Sequence, residues 1–128
     1  MRVLLDTHAF LWWNLDDSRL SKIARRIMAD PANTLCLSVA SALEIAIKVQ
    51  LGKLRLPANS ASYVQTRAAQ DHMEILPIRL EHAAALQSLP QLHRDPFDRI
   101  LIVQSQVEKL SILTRDPAIR NYAVDAIW

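Results

Sequence analysis

Glycine occurs once in the 128 residues, at Gly52, and cysteine once, at Cys36. A lone glycine leaves no glycine-rich loop to cradle a phosphate, which disfavours P-loop enzymes and dinucleotide-binding Rossmann domains. A lone cysteine excludes an internal disulfide framework and a zinc site built on cysteines. A large excess of one charge is also missing: 15 basic against 13 acidic residues give a net charge of +2. That balance permits contact with nucleic acid without arguing for it. No apolar run approaches the roughly 20 residues that span a bilayer. The opening stretch, MRVLLDTHAF, meets an acid at Asp6, so no secretory segment is expected there. What is present is 51% hydrophobic and 22% charged. That suffices for a real core and excludes a disordered or low-complexity chain. The length suits a single domain over residues 1–128, and a cytoplasmic enzyme or binding domain is the expected class.

The apolar pattern alternates strands with helices. Strands are predicted at Arg2–Leu5, Thr34–Ser38, Glu74–Ile78, Ser111–Thr114 and, as an edge, Val124–Trp128. Helices are predicted at Ala9–Leu15, Leu20–Ala29 (capped by Asp17 or Ser18), Val39 to about Leu51, Ser60–Gln70, Glu81–Leu89 and Pro96 to about Lys109, with a helical turn at Pro117–Tyr122. Such alternation implies an α/β fold with a parallel sheet covered on both faces.

The chemistry concentrates in the acids. Asp6 ends the first strand and Glu44 lies one turn into the helix after the second. Asp95 and Asp98 open the long helix, and Asp116 follows the fourth strand. In a parallel α/β sheet, residues just beyond the carboxyl ends of strands share one edge, where ligands bind. Each acid also fits a local role. Ser41 and Glu44 have capping-box spacing; Asp95 and Asp116 each precede a proline, as N-caps do; Asp98 suits an acidic first turn; Asp6 can cap the helix that follows it.

Together they fit less easily. Nine of the thirteen residues from Val39 to Leu51 are apolar, and a glutamate on a largely buried helix is expensive unless paired. At about 5 Å, each like-charged pair costs roughly 3 kcal/mol at an effective dielectric near 20. A capping hydrogen bond contributes about 1 kcal/mol. A cluster of these acids therefore needs protonation or a bound cation. All-oxygen ligands favour a hard ion such as Mg²⁺ or Mn²⁺, and water activated by such an ion beside a free carboxylate is a hydrolytic nucleophile.

The segments MRVLLDTHAFLW, SVASALEIAIK with the following QLGKLRL, EILPIRLEHA, HRDPFDRILIVQSQ and LSILTRD resemble the PIN-domain ribonucleases. They are most similar to the VapC-like toxins of type II toxin–antitoxin systems, and the resemblance runs from Met1 to about Trp128. It implies an α/β/α sandwich with strand order 3-2-1-4-5. It also implies a Mg²⁺- or Mn²⁺-dependent endoribonuclease, homodimeric and held inactive by a small antitoxin. The family's acids fall on Asp6, Glu44, Asp98 and Asp116. The DPFDR segment offers two aspartates; Asp98 is taken as the metal-site acid and Asp95 as a cap or accessory. In the implied mechanism Asp6 and Asp98 bind the metal, and Glu44 acts through water or accepts a proton. Asp116 completes the shell or supports a second ion. Hydrolysis then leaves 5′-phosphate and 3′-hydroxyl ends.

Thr7, Ser38 and Thr114 adjoin these acids and are candidates to orient water or phosphate, or simply local caps. Arg94, Arg99, Arg115 and Arg120 are candidates for substrate phosphates or for ion pairs with the same acids. His8, His72, His82 and His93 show no ligand spacing, although His8 and His93 flank acids. Cys36 is expected to be an inert core thiol. Phe10, Leu11, Trp12 and Trp13 exceed what one helix face buries, which points to core packing or to a second subunit or antitoxin helix. Lys22, Arg25 and Arg26 are expected on a solvated face, and Glu44 with Lys48 has helical pair spacing.

Two phosphotransfer classes fit poorly. A haloacid-dehalogenase-like enzyme needs an aspartate where His8 stands, and a receiver domain needs acids that Thr7 and the end of the third strand do not supply. The remaining alternative is a catalytically inactive PIN-fold module that binds RNA or protein. Loss of an acid would favour it, but all four positions are filled.

Overall fold

The computed structural model describes the backbone of residues 1–57 and 60–128 and the side chains of 1–57 and 62–128. The elements run β1 (Arg2–Leu5), α1 (Thr7–Asn14), α2 (Lys22–Ala29), β2 (Thr34–Ser38), α3 (Val39–Gln50), α4 (Ser60–Gln70), β3 (Glu74–Leu76), α5 (Leu80–Gln87), α6 (Pro96–Glu108), β4 (Ser111–Leu113), α7 (Pro117–Arg120) and β5 (Ala126–Ile127). The strands form a parallel five-stranded sheet in the order β3-β2-β1-β4-β5. This is the order implied by the resemblance. It places β1 beside β4, so Asp6 and the residues after Leu113 emerge side by side. Leu5 is in register with Leu113, and the Asp6 N–H donates to the Leu113 carbonyl at 3.1 Å.

Side-chain alternation along the strands divides the core in two. Val3, Leu5, Leu35, Leu37 and Leu113 face a layer built from α1, α2 and parts of α3 and α4. Leu4, Cys36, Leu76 and Ile112 face α6, with Leu101, Ile102 and Val103 packed beneath them. Both faces of the central strands are covered, which is why those strands read as continuous apolar runs. Burial pushes the Cys36 thiol upward, in keeping with an unreactive core group.

Several local expectations are corrected. Helix α1 starts at Thr7 rather than Ala9, because Asp6 is its N-cap and accepts from the Ala9 N–H at 2.7 Å. The cap of α2 is Ser21, not Asp17 or Ser18; Asp17 is engaged by Arg19 instead. Ser41 and Glu44 do not form a capping box. Ser38 caps α3, and both Ser41 and Glu44 lie buried within the helix. Strand β3 stops at Leu76, just before Pro77, which has no N–H to extend a ladder. Phe10, Leu11 and Trp12 are buried within this chain, and the half-buried Trp13 donates its indole N–H to Asp71 at 3.0 Å. The aromatic surplus of α1 is thus absorbed by the fold. An apolar stripe is nevertheless left outside: Val39, Leu43, Ile47 and Leu51, spaced by four along α3 and its end, are exposed.

Candidate active site

The carboxyl edge of β1 and β4 gathers the predicted acids. Asp6 is 5% exposed. One of its oxygens caps α1, and the other accepts from the Thr114 hydroxyl. Thr114, fully buried just after β4, also accepts the Asp116 N–H at 3.0 Å. One hydroxyl therefore ties the first acid to the fourth. Burial pushes the Asp6 carboxyl above its usual range, against the pull of the Thr114 and Ala9 hydrogen bonds. Nearby Asp116 adds to the rise.

Glu44 is 2% exposed, brought inward because α3 follows β2 directly. Its Oε1 accepts from the Thr7 hydroxyl at 2.8 Å and its Oε2 from Lys48 Nζ at 2.6 Å. Glu44 in turn holds Lys48 protonated beyond its ordinary range, with Asp95 and Asp98 contributing from across the site. A lysine one turn along the same helix thus answers the question of how a buried glutamate remains tolerable.

The two aspartates of DPFDR have different surroundings. Asp95 is the N-cap of α6 and accepts from the N–H groups of Phe97 at 2.8 Å and Asp98 at 3.1 Å. Asp98, one turn on, faces His93 Nε2 at 3.0 Å, and Asp116 lies 3.2 Å from the same nitrogen. The ligand atoms of His93, Asp98 and Asp116 all fall within 4.8 Å of one another. Asp98 is pushed up to about 7, first by burial and then by the charges of Asp95, Glu44 and Asp6, with His93 opposing. That elevation is the electrostatic sign that these carboxylates share one field.

The cleft beside Asp6 and Asp116 has a volume of about 300 Å³ and is lined by His8, Trp12, Arg19 and Arg115 as well. A second cleft of about 250 Å³ shares His8, Trp12 and Arg19 and adds Lys48 and Lys53. The Trp12 ring carries two guanidinium groups, Arg115 at 4.5 Å and Arg19 at 4.8 Å from its centroid. An acidic centre is thus flanked by basic walls.

The other candidates are placed as follows. Ser38 is fully buried and its hydroxyl is committed, donating to Gln104 Oε1 at 2.6 Å while accepting the Ala40 N–H. Arg99 donates to the carbonyls of Leu89, Pro90 and His93, so it braces the loop before α6 instead of reaching an acid. Arg94 and Arg120 are exposed, and neither forms an ion pair with the acids among the described residues. His82, a buried histidine near acids, accepts the Arg79 N–H at Nδ1 and meets Glu108 at Nε2. With both nitrogens engaged it works as a strut between α5 and α6.

In the sequence, His93 stands out only as a neighbour of acids, and nothing assigns Arg19 or Lys53 to the site. Lys48 was recognised as a helical partner of Glu44, and that i,i+4 spacing was the usable signal. Nothing local marks Arg19, which arrives from the loop after α1.

A family model described as PIN domain matches residues 3–125. The chain belongs to the PIN-domain family. Over 121 residues it is 27% identical to Ribonuclease VapC22 of Mycobacterium tuberculosis, covering 94% of this chain and 91% of that protein. Ribonuclease VapC16 of the same organism is 46% identical over 59 residues, 46% of this chain and 40% of that one. Among solved structures, VapBC2 from Rickettsia felis, bound to a DNA fragment from its promoter, matches with a TM-score of 0.72. That likeness covers 99% of this chain and 98% of that one at 12% identity, and at such identity it speaks to the fold. In this PIN fold the matched span runs from Val3 of β1 through β4 and holds all the acids described above, and β5 lies just beyond it.

Proposed function

We propose that this PIN protein is a divalent-cation-dependent endoribonuclease, the toxin of a type II toxin–antitoxin pair, acting in the cytoplasm. The observation that carries the reading is the acidic centre: Asp6, Glu44, Asp98 and Asp116 gathered at one sheet edge, with Asp98 raised to about 7 by burial and then by the charges around it. The ribonuclease names of the relatives support the substrate class, and the fold shared with a toxin–antitoxin complex from Klebsiella pneumoniae, at a TM-score of 0.63 and 18% identity, supports the partner.

The donor set fits a hard cation, because it is carboxylate oxygen throughout and carries more negative charge than Lys48 offsets. Asp6 and Asp98 would hold the ion, Mg²⁺ or Mn²⁺, with Asp116 completing its surroundings. When bound, such an ion polarises a phosphodiester oxygen and acidifies water. The remaining work belongs to the chain. Thr114 fixes the orientation of Asp6, and Thr7 fixes that of Glu44. Glu44, paired with Lys48, is the candidate acceptor of the attacking water's proton. Arg19, Arg115 and Lys53 line the approach and offer charge to the RNA backbone, which gives affinity without sequence choice. A homodimer and an antitoxin are the expected protein partners, and the exposed α3 stripe is apolar surface of the kind such contacts cover.

The test is cleavage of a structured RNA pool by protein freed of any partner, with Mg²⁺, with Mn²⁺ and with EDTA. Cutting that needs the cation and leaves 5′-phosphate ends supports the reading. Cutting that persists in EDTA overturns the cation dependence.

A further inference from the structure

We propose that His93 is a positioning residue of the acidic centre: its Nε2–H orients Asp98 and Asp116 for cation binding, and the imidazole is not itself a ligand. The inference rests on the cation reading above. Its basis is which ring nitrogen carries the proton. His93 Nδ1 accepts the Asp95 backbone N–H at 3.2 Å, so that nitrogen presents a lone pair and the ring proton sits on Nε2. Nε2 is hydrogen-bonded to Asp116 Oδ2 at 3.2 Å and lies 3.0 Å from Asp98 Oδ2, so one N–H faces both carboxylates. Ligation through Nε2 would require the opposite tautomer, which would set two N–H groups against each other at Nδ1.

The backbone around His93 is held as firmly as its ring. The Tyr122 hydroxyl accepts from the N–H groups of Leu92 at 2.9 Å and His93 at 2.8 Å, and donates to the Pro90 carbonyl at 2.6 Å. Arg99 grips the carbonyls of Pro90 and His93 from α6. The loop before α6 is thus pinned from two elements, and the side chain it presents to the acids is His93. Asp95 links both ends of this arrangement, since its N–H sets the His93 tautomer while its carboxylate caps the helix that carries Asp98. Partners of this type, one bond away from a metal's ligands, typically change affinity about 10- to 100-fold when removed.

The experiment is calorimetric titration of purified protein with Mn²⁺ alone, comparing wild type with His93→Gln, His93→Asn and Tyr122→Phe. Glutamine places an amide donor near the position of Nε2. Asparagine reaches only as far as Nδ1, so it can satisfy Asp95 but not donate to the acids. The proposal expects His93→Gln to bind within about 3-fold of wild type and His93→Asn to bind about 10- to 100-fold more weakly. Should His93→Asn fail to fold, Tyr122→Phe, which keeps the imidazole but frees its loop, is expected to weaken binding in the same direction. The proposal is overturned if His93→Asn, or Tyr122→Phe in its place, binds as tightly as wild type. It is equally overturned if His93→Gln loses as much as His93→Asn, for then the imidazole is a ligand. Wild type that takes up no Mn²⁺ at millimolar concentration overturns the cation reading beneath it, before His93 enters the question.

Discussion

Replacing Asp98 by asparagine should stabilise the cation-free protein at neutral pH while abolishing its response to cations. Asp98 is pushed from an ordinary 3.8 to about 7 by burial and by the charges of Asp95, Glu44 and Asp6. A carboxyl with a raised folded pKa binds more protons folded than unfolded between those two values. Stability therefore falls as pH rises from about 4 to 7. A shift of that size sets a ceiling of about 4 kcal/mol on the cost of ionised Asp98 at pH 7. Asparagine resembles the protonated acid and escapes this cost. For a chain of this length 4 kcal/mol corresponds to roughly 10–15 °C in melting temperature. The assay is thermal unfolding in EDTA at pH 4, 5.5 and 7, repeated at pH 7 with Mn²⁺. Asp98→Asn should melt higher than wild type at pH 7 and converge with it by pH 4. Mn²⁺ should raise wild type and leave the variant unmoved. A variant that melts at or below wild type at pH 7, with a parallel pH profile, would refute the idea that these carboxylates share one repulsive field.

Other perturbations test the supports of the site. Thr114→Val removes the hydroxyl shared by Asp6 and the Asp116 N–H; it should lower stability by about 1–3 kcal/mol, read from urea unfolding, and a change near zero would mean the bond carries no weight. Lys48→Met leaves the buried Glu44 carboxylate without its cation; because Lys48 is partly exposed, a loss of only about 1–2 kcal/mol is expected at neutral pH, read from urea unfolding. Leu101→Ala opens a void between α6 and the sheet and should cost about 2–5 kcal/mol, a control in which cation binding at 25 °C survives if the variant folds.

Much of this was legible in the residues because strand and cap chemistry are local. Arg2–Leu5 and Thr34–Ser38 read as strands because both faces of a central parallel strand are buried. Asp95-Pro96 and Asp116-Pro117 read as helix starts because a capping carboxylate followed by proline is a short-range device. What failed was whatever depended on distant partners. Ser41 and Glu44 had the spacing of a cap, but β2 runs straight into α3 and Ser38 takes that role. Glu44 is instead recruited inward by Thr7, 37 positions away. His93 stands out in the sequence only as a neighbour of acids, because its geometry is made by Tyr122, 29 positions later, and by Arg99 reaching back to hold the loop. Arg19 joins the cleft because Asp17 fixes its guanidinium and the Trp12 ring receives it.

The central claim, that the acids at the end of β1 and β4 form an RNA-cleaving centre, is tested most directly by one comparison. Wild type and Asp6→Asn, both shown folded by circular dichroism and freed of any partner, are given the same structured RNA with Mn²⁺. The account predicts site-specific cuts by wild type and loss of at least about 100-fold in rate for the variant, as removal of a group that stabilises developing charge typically brings. Equal cutting by the two proteins would contradict it.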